Sequence, residues 1–231
     1  MSDPIQFFDE ATCTYSYLLV DEASKDAVII DPVDEEAGSY IKRINAGGLK
    51  MRYILETHVH ADHITAAAML KATTGAQTAA PAGCGVSGAD LAILDGEVLR
   101  FGAESVKVIH TPGHTPGSVT YHWRDGVFTG DALLIGGCGR TDFQGGDAGA
   151  LYDAITRRLF TLPDATRVFP AHDYHGHKVS SIGEEKRGNP RLAGKSRDEF
   201  IAIMKNLDLA PPKMIGVAVP ANKRGGVRHE A

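Results

Sequence analysis

Thr57-His58-Val59-His60-Ala61-Asp62-His63 follows a short apolar run at 53–55, and its reading decides the fold. Three imidazoles and a carboxylate crowd into positions 58–63, where a strand gives way to a loop. Side chains alternate along extended backbone, so His58 and His60 share one side. A helix predicted over 62–74, with Gly75 as its stop, swings Asp62 and His63 toward the same point. Surface polarity or a helix cap by Asp62 would account for the carboxylate, but it leaves the histidines unexplained.

Working outward, more groups of this kind stand at the ends of predicted strands. His114 lies in 111–118 (TPGHTPGS), Asp131 in 128–131 (FTGD) and His172 in 168–173 (VFPAHD). Gly113, Gly130 and Ala171 precede them, small enough for the backbone to approach a bound centre closely. Together the groups make a convergent site of imidazole nitrogens and carboxylates. Thiolates are missing and oxygen ligands are too few for calcium, which leaves zinc and iron as the metals that suit the set. His110, His122 and His229 read instead as core, strand-face and tail residues.

The whole composition frames this site. At 231 residues, with 43% hydrophobic and 23% charged content, the chain fits one globular domain over 1–231. A net charge of -5 excludes the basic footprint of a nucleic-acid binder. The N-terminus carries no secretory pattern and no apolar run approaches membrane-spanning length, so no membrane partner is expected and the location is read as cytoplasmic. Cys13, Cys84 and Cys138 are too few and too scattered for a disulfide framework and read as reduced thiols.

Strands are predicted at 17–20, 27–30, 53–55, 105–109, 119–123 and 167–169, and helices at 34–46, 62–74, 148–160 and 197–207. Strands come first in meanders, helices intervene, and the pattern repeats in the second half. That order suits an α+β fold of two packed sheets, mostly antiparallel or mixed, with outer helices, better than a doubly wound parallel sheet. From 208 the chain turns Pro-rich and then basic through Lys223, Arg224 and Arg228. The segment 208–231 is expected to pack on or near the active site, although most tails of this composition are merely solvated.

The signature His-x-His-x-Asp-His at 58–63, with His114, Asp131 and His172 after it, resembles the metallo-β-lactamase superfamily. That resemblance implies the αβ/βα four-layer sandwich with its metal at the edge between the sheets. Longer strings narrow it: 57–65 (THVHADHIT), 129–143 (TGDALLIGGCGRTDF), 160–163 (FTLP), 170–176 (PAHDYHG), 184–192 (EEKRGNPRL) and 219–225 (VPANKRG) are similar to the persulfide dioxygenase family.

What this resemblance implies is one iron(II) per chain held by His58, His114 and Asp131, a two-histidine, one-carboxylate set with open positions. His60, Asp62, His63 and His172 would then hold ligands and waters in place by hydrogen bonds. The implied reaction oxidises glutathione persulfide with O2 and water to sulfite and glutathione. Arg140, with its planar fork, is the first residue expected to bind glutathione carboxylates, followed by Tyr174, Asp142 and Arg224. A plain ion pair between Arg140 and Asp142 competes with that role. Cys138 reads as a packing residue, because the reaction needs no protein nucleophile.

The closest rival is a glyoxalase II-like dinuclear hydrolase of glutathione thioesters, disfavoured because only about one helix is expected after His172. A non-catalytic metal-binding or sulfide-sensing module is the third reading. Exposed apolar strand faces would permit a homodimer, and a functional link to a sulfurtransferase is compatible with a persulfide substrate.

Overall fold

The computed structural model describes residues 3–227, so Arg228 and His229 lie outside the described residues. The chain divides into two compact units. One is built from the residues up to Ile93, from Val98–Val106 and from Pro211 onward; the other comprises Leu94–Glu97 and Lys107–Ala210.

In the first unit, β1 (Ile5–Asp9), β2 (Thr14–Val20), β3 (Asp26–Ile30), β4 (Lys50–Leu55), β5 (Gln77–Pro81) and β6 (Leu91–Ile93) form a six-stranded sheet in sequence order. β1 to β3 pair antiparallel and β3 to β6 pair parallel. Parallel neighbours need a crossover, and α1 (Ala37–Gly47) and α2 (Ala67–Thr74) supply it after β3 and β4. Gly48, at φ +59, ends α1 in the left-handed conformation that favours glycine. The core gathers Leu18, Ile29, Tyr40, Ile44, Ile54 and Leu70.

The second sheet has the order β12-β11-β10-β9-β8-β7, comprising β7 (Val98–Phe101), β8 (Glu104–His110), β9 (Val119–Trp123), β10 (Gly126–Gly130), β11 (Arg167–Pro170) and β12 (Ser180–Ser181). β10 and β11 run parallel, and α3 (Ala148–Ala154), continued by a π turn at Ile155–Leu159, lies in the crossover between them. α4 (Ile182–Gly188) and α5 (Arg197–Lys205) follow in the same unit, and its core joins Val127, Leu151, Ile155, Val168, Ile182 and Phe200. Two mixed six-stranded sheets with helices give the α+β class.

Several expectations need correction. The helix expected over 62–74 begins only at Ala67. Its intended first turn is held by the segment after β3 instead: Ala66 N–H donates to the Pro32 carbonyl (2.8 Å), and the Ile64 carbonyl accepts from Asp34 N–H (2.9 Å). Among the described residues three helices follow His172 where about one was expected, because α4 precedes α5 and α6 (Ile215–Asn222) forms within the segment read as a Pro-rich tail. The helix count therefore no longer argues against the hydrolase. Among the described residues no helix is long and apolar enough to cross a membrane.

One buried network ties the first sheet to the loops after it. Ser16 Oγ donates to the Asp31 carbonyl (2.7 Å), so the Tyr40 hydroxyl, 2.8 Å from Ser16 Oγ, must donate to Ser16 and accept from Val33 N–H (3.0 Å). Burial pushes the Tyr40 hydroxyl pKa well above its usual value, so it stays protonated and able to donate. Tyr40→Phe strands the Val33 N–H without an acceptor; we expect a loss of about 1–3 kcal/mol, read as a lower denaturant midpoint at unchanged slope.

Candidate metal centre

In the first unit the functional groups stand past the carboxyl ends of parallel strands, where such sheets place their sites. Asp31 follows β3, and Glu56 opens the loop after β4. Asp31 adopts φ +49, a conformation that side chains rarely take, and its carboxylate accepts from both Thr57 N–H and Thr57 Oγ1 (2.7 Å each). Because Thr57 gives its hydroxyl proton to Asp31, it can only accept from His58 Nδ1 at 2.9 Å. His58 is thereby fixed as the Nδ1–H tautomer, with its lone pair on Nε2.

His60 turns Nε2 toward two carboxylates, Asp31 at 3.1 Å and Glu56 at 3.3 Å. Burial disfavours its charged form, but Asp31 and Glu56 outweigh burial and raise its pKa well above the ordinary value. Burial raises the Glu56 pKa, with the nearby Asp31 charge adding to it. The rings of His58 and His60 lie 4.1 Å apart and those of His60 and His63 4.4 Å apart, so the expected gathering of this loop is met. Asp62 is no helix cap: its carboxylate accepts from His63 Nδ1 (2.9 Å) and Thr14 Oγ1 (3.2 Å). Donor atoms of His60, Asp62 and His63 lie within 4.8 Å of one another, as do those of Asp31, Glu56 and His60.

The second unit gathers His114, Asp131 and His172. Nε2 of His114 and of His172 each lie 3.5 Å from an Asp131 oxygen. His114 Nδ1 is 2.7 Å from the Arg140 carbonyl, which can only accept, so this imidazole too carries its proton on Nδ1 and its lone pair on Nε2. Gly139 makes that approach possible: its N–H donates to the Asp131 carbonyl (2.7 Å), and a Cβ there would come within 2.5 Å of the same oxygen. Gly113 at φ +135 is equally constrained, since a Cβ would meet the Leu151 backbone at 2.3 Å.

These groups fit a metal. In their neutral forms His58 and His114 both keep the lone pair on Nε2. Among the described residues, the buried His63 Nε2 has no hydrogen-bond partner, which is costly unless an ion or bound water meets it. Asp31, Glu56 and the clamp residue Asn222, discussed below, were not singled out from the sequence. Asp31 and Glu56 could have been, because each directly follows a strand, as Asp131 does, and His114 and His172 lie within a few residues of a strand end.

The expected glutathione contacts divide. Arg140 donates to both Asp142 oxygens (2.7 Å each) and to the Ala210 and Leu209 carbonyls (2.6 and 3.1 Å), so the competing ion pair is the arrangement present. The Arg140 hydrogen bond is the main cause of the lowered Asp142 pKa. Tyr174 is 66% exposed and stacks along His172 at 6.1 Å, and the half-buried Arg224 donates to the Val227 carbonyl. Cys138 is buried against Met204 Sδ at 3.7 Å, and burial pushes its thiol up to about 11, as suits a packing residue. His110 bonds the Pro116 carbonyl at 3.0 Å, and burial lowers the His122 pKa.

Known proteins share this chain. The family model described as the metallo-beta-lactamase superfamily matches residues 13–85 and 84–172. The mitochondrial persulfide dioxygenase ETHE1 of Homo sapiens and that of Mus musculus are each 48% identical over 226 residues, covering 96% of this chain and 88% of theirs. A crystal structure of ETHE1 from Myxococcus xanthus superposes with a TM-score of 0.95 at 50% identity, covering 98% of this chain and all of that one.

The tautomer chain gives a direct prediction. Thr57→Val removes the hydroxyl that links Asp31 to His58 while keeping the side chain's shape. Metal affinity, measured by chelator competition, should fall ~10–100-fold with the fold intact.

Proposed function

The chain belongs to the metallo-β-lactamase superfamily and, within it, to the persulfide dioxygenases, and on that premise we propose that it oxidises glutathione persulfide with O2 to sulfite and glutathione, using one iron(II). The observation that carries the metal assignment is the pair of fixed tautomers: His58 and His114 each donate through Nδ1 and keep Nε2 for a metal. Together with Asp131 they are the residues we assign to the ion on the family's pattern, a two-histidine, one-carboxylate set of the kind that leaves coordination positions open. When bound, iron supplies the redox chemistry that a zinc ion lacks.

In the reaction the terminal sulfur gains both atoms of O2 and one oxygen of water. The S–S bond breaks, glutathione leaves as the thiol, and four electrons pass from sulfur to O2. The protein's part is to hold and orient. Asp31, through Thr57, keeps His58 aimed; the Arg140 carbonyl does the same for His114. His60, anchored on Asp31 and Glu56, serves as a support for the loop and not as a ligand. His63, whose Nδ1 is tied to Asp62, offers a buried Nε2 acceptor suited to holding the water consumed. His172 stands against Asp131 and steadies that carboxylate.

For glutathione, the exposed Tyr174 and the half-buried Arg224 are the contacts we retain. Arg140, with four of its five N–H groups given to Asp142 and two carbonyls, acts instead by tying 209–210 beside its own loop. A cytoplasmic location is part of this proposal, beside mammalian relatives whose names place them in mitochondria. A homodimer and a sulfurtransferase supplying the persulfide are further parts of this proposal.

The test is oxygen uptake and sulfite release with glutathione persulfide by protein purified and loaded anaerobically. We expect one iron per chain, turnover with iron and none with zinc, and a loss of more than ~100-fold in sulfite production for Asp131→Ala. Two metal ions per chain together with thioester cleavage by the zinc form would instead establish the dinuclear hydrolase, and absence of any turnover would leave a binding module.

A further inference from the structure

The string 219–225 (VPANKRG) contains one buried polar side chain, Asn222, at the last position of α6. Its carboxamide is fully used. Nδ2 donates to the His60 carbonyl (3.0 Å) and the His63 carbonyl (2.8 Å), and Oδ1 accepts from Thr65 N–H (2.9 Å). All three peptide groups belong to the stretch between β4 and α2, where no sheet or helix ladder serves them.

The surrounding contacts hold the segment in one register. Ala218 and Ala221 pack on Ile64, which lies between His63 and Thr65. The Lys223 carbonyl accepts from Ser87 N–H at 2.8 Å. Gly226, at φ +89, runs so close that a Cβ would meet the Thr65 carbonyl oxygen at 2.4 Å, and a Cβ on Gly88 would meet the Arg224 carbonyl oxygen at 2.5 Å. A solvated tail needs none of this backbone-to-backbone packing.

We propose that Asn222 is a positioning residue for the metal loop: by holding the His60 and His63 carbonyls and the Thr65 amide, it aims the imidazoles of 58–63 before a metal arrives. No other side chain satisfies the site. Aspartate keeps the acceptor but turns a carboxylate oxygen on two carbonyls, glutamine is one methylene too long, and alanine leaves three buried backbone groups without partners. The C-terminal segment is thus a working part of the centre. This inference rests on the loop binding a metal, not on the metal being iron.

The experiment uses the full chain as Asn222→Ala, with Ile64→Val as a control that loosens the same junction without touching the clamp. Fe(II) and Zn(II) affinities are measured anaerobically by chelator competition, and amide exchange is followed in the metal-free proteins. Asn222→Ala should weaken both ions ~10–100-fold and speed exchange across 58–66 relative to β3 and β4, while Ile64→Val leaves both readouts near wild type. Unchanged affinity and exchange in folded Asn222→Ala overturn the proposal, as does an equal metal loss in Ile64→Val. Should Asn222→Ala not fold, the wild-type protein decides: the Thr65 amide must exchange as slowly as amides of β4, and loop-fast exchange there overturns the clamp. An error in the iron assignment would surface in turnover and metal content, and would leave these readouts as they are.

Discussion

A neutral imidazole offers a metal one lone pair, and which nitrogen carries it depends on where the other sends its proton. The Asp31 carboxylate settles that question for the first unit. It takes both hydrogen bonds that Thr57 can give, which forces Thr57 to accept from His58, and it also faces His60. Asp31 reaches this position through a left-handed backbone, held by Ser16 and, through Ser16, by Tyr40 from α1. The orientation of a metal-binding nitrogen is therefore traceable to the packing of a helix on a sheet, and strain at Asp31 is borne where function requires it.

The second unit obtains the same result by different means. A backbone carbonyl, that of Arg140, stands where Thr57 stands in the first, and it can approach because Gly139 has no side chain to bar it. The Arg140 side chain, pinned by Asp142 and by carbonyls of 209–210, keeps that carbonyl in place. Gly139 is thus explained by geometry around Asp131 and His114, Gly136 by its left-handed φ of +65, and Cys138 by packing on Met204.

How much of this could be read from the sequence depended on spacing. The groups of 58–63 are dense enough to announce themselves, and His114, Asp131 and His172 share the mark of following a strand. Asp31 and Glu56 carry the same mark, but each is a lone acidic residue, and without the fold neither stands out from ordinary loop carboxylates. The predicted strands 17–20, 27–30, 53–55, 105–109, 119–123 and 167–169 all fall within observed ones, being buried and apolar. Strands such as β5 and β6 escaped because they are short and rich in Ala, with no alternation to betray them. The start of α2 was misplaced because Asp62 resembles a helix cap, whereas its carboxylate is committed to His63 and Thr14. Helix α6 was hidden by Pro220 and by the prolines and charges around it, and the value of Asn222 depends on contacts more than 150 residues away in the chain.

The most direct measurement of the donor arrangement is a nitrogen–proton correlation of the histidine rings in the metal-free protein, which reports each tautomer independently of any ion. His58 and His114 should both appear as Nδ1–H imidazoles. An Nε2–H tautomer at either residue would contradict the assignment of these nitrogens to a metal, and with it the route from Asp31 and Arg140 to the site.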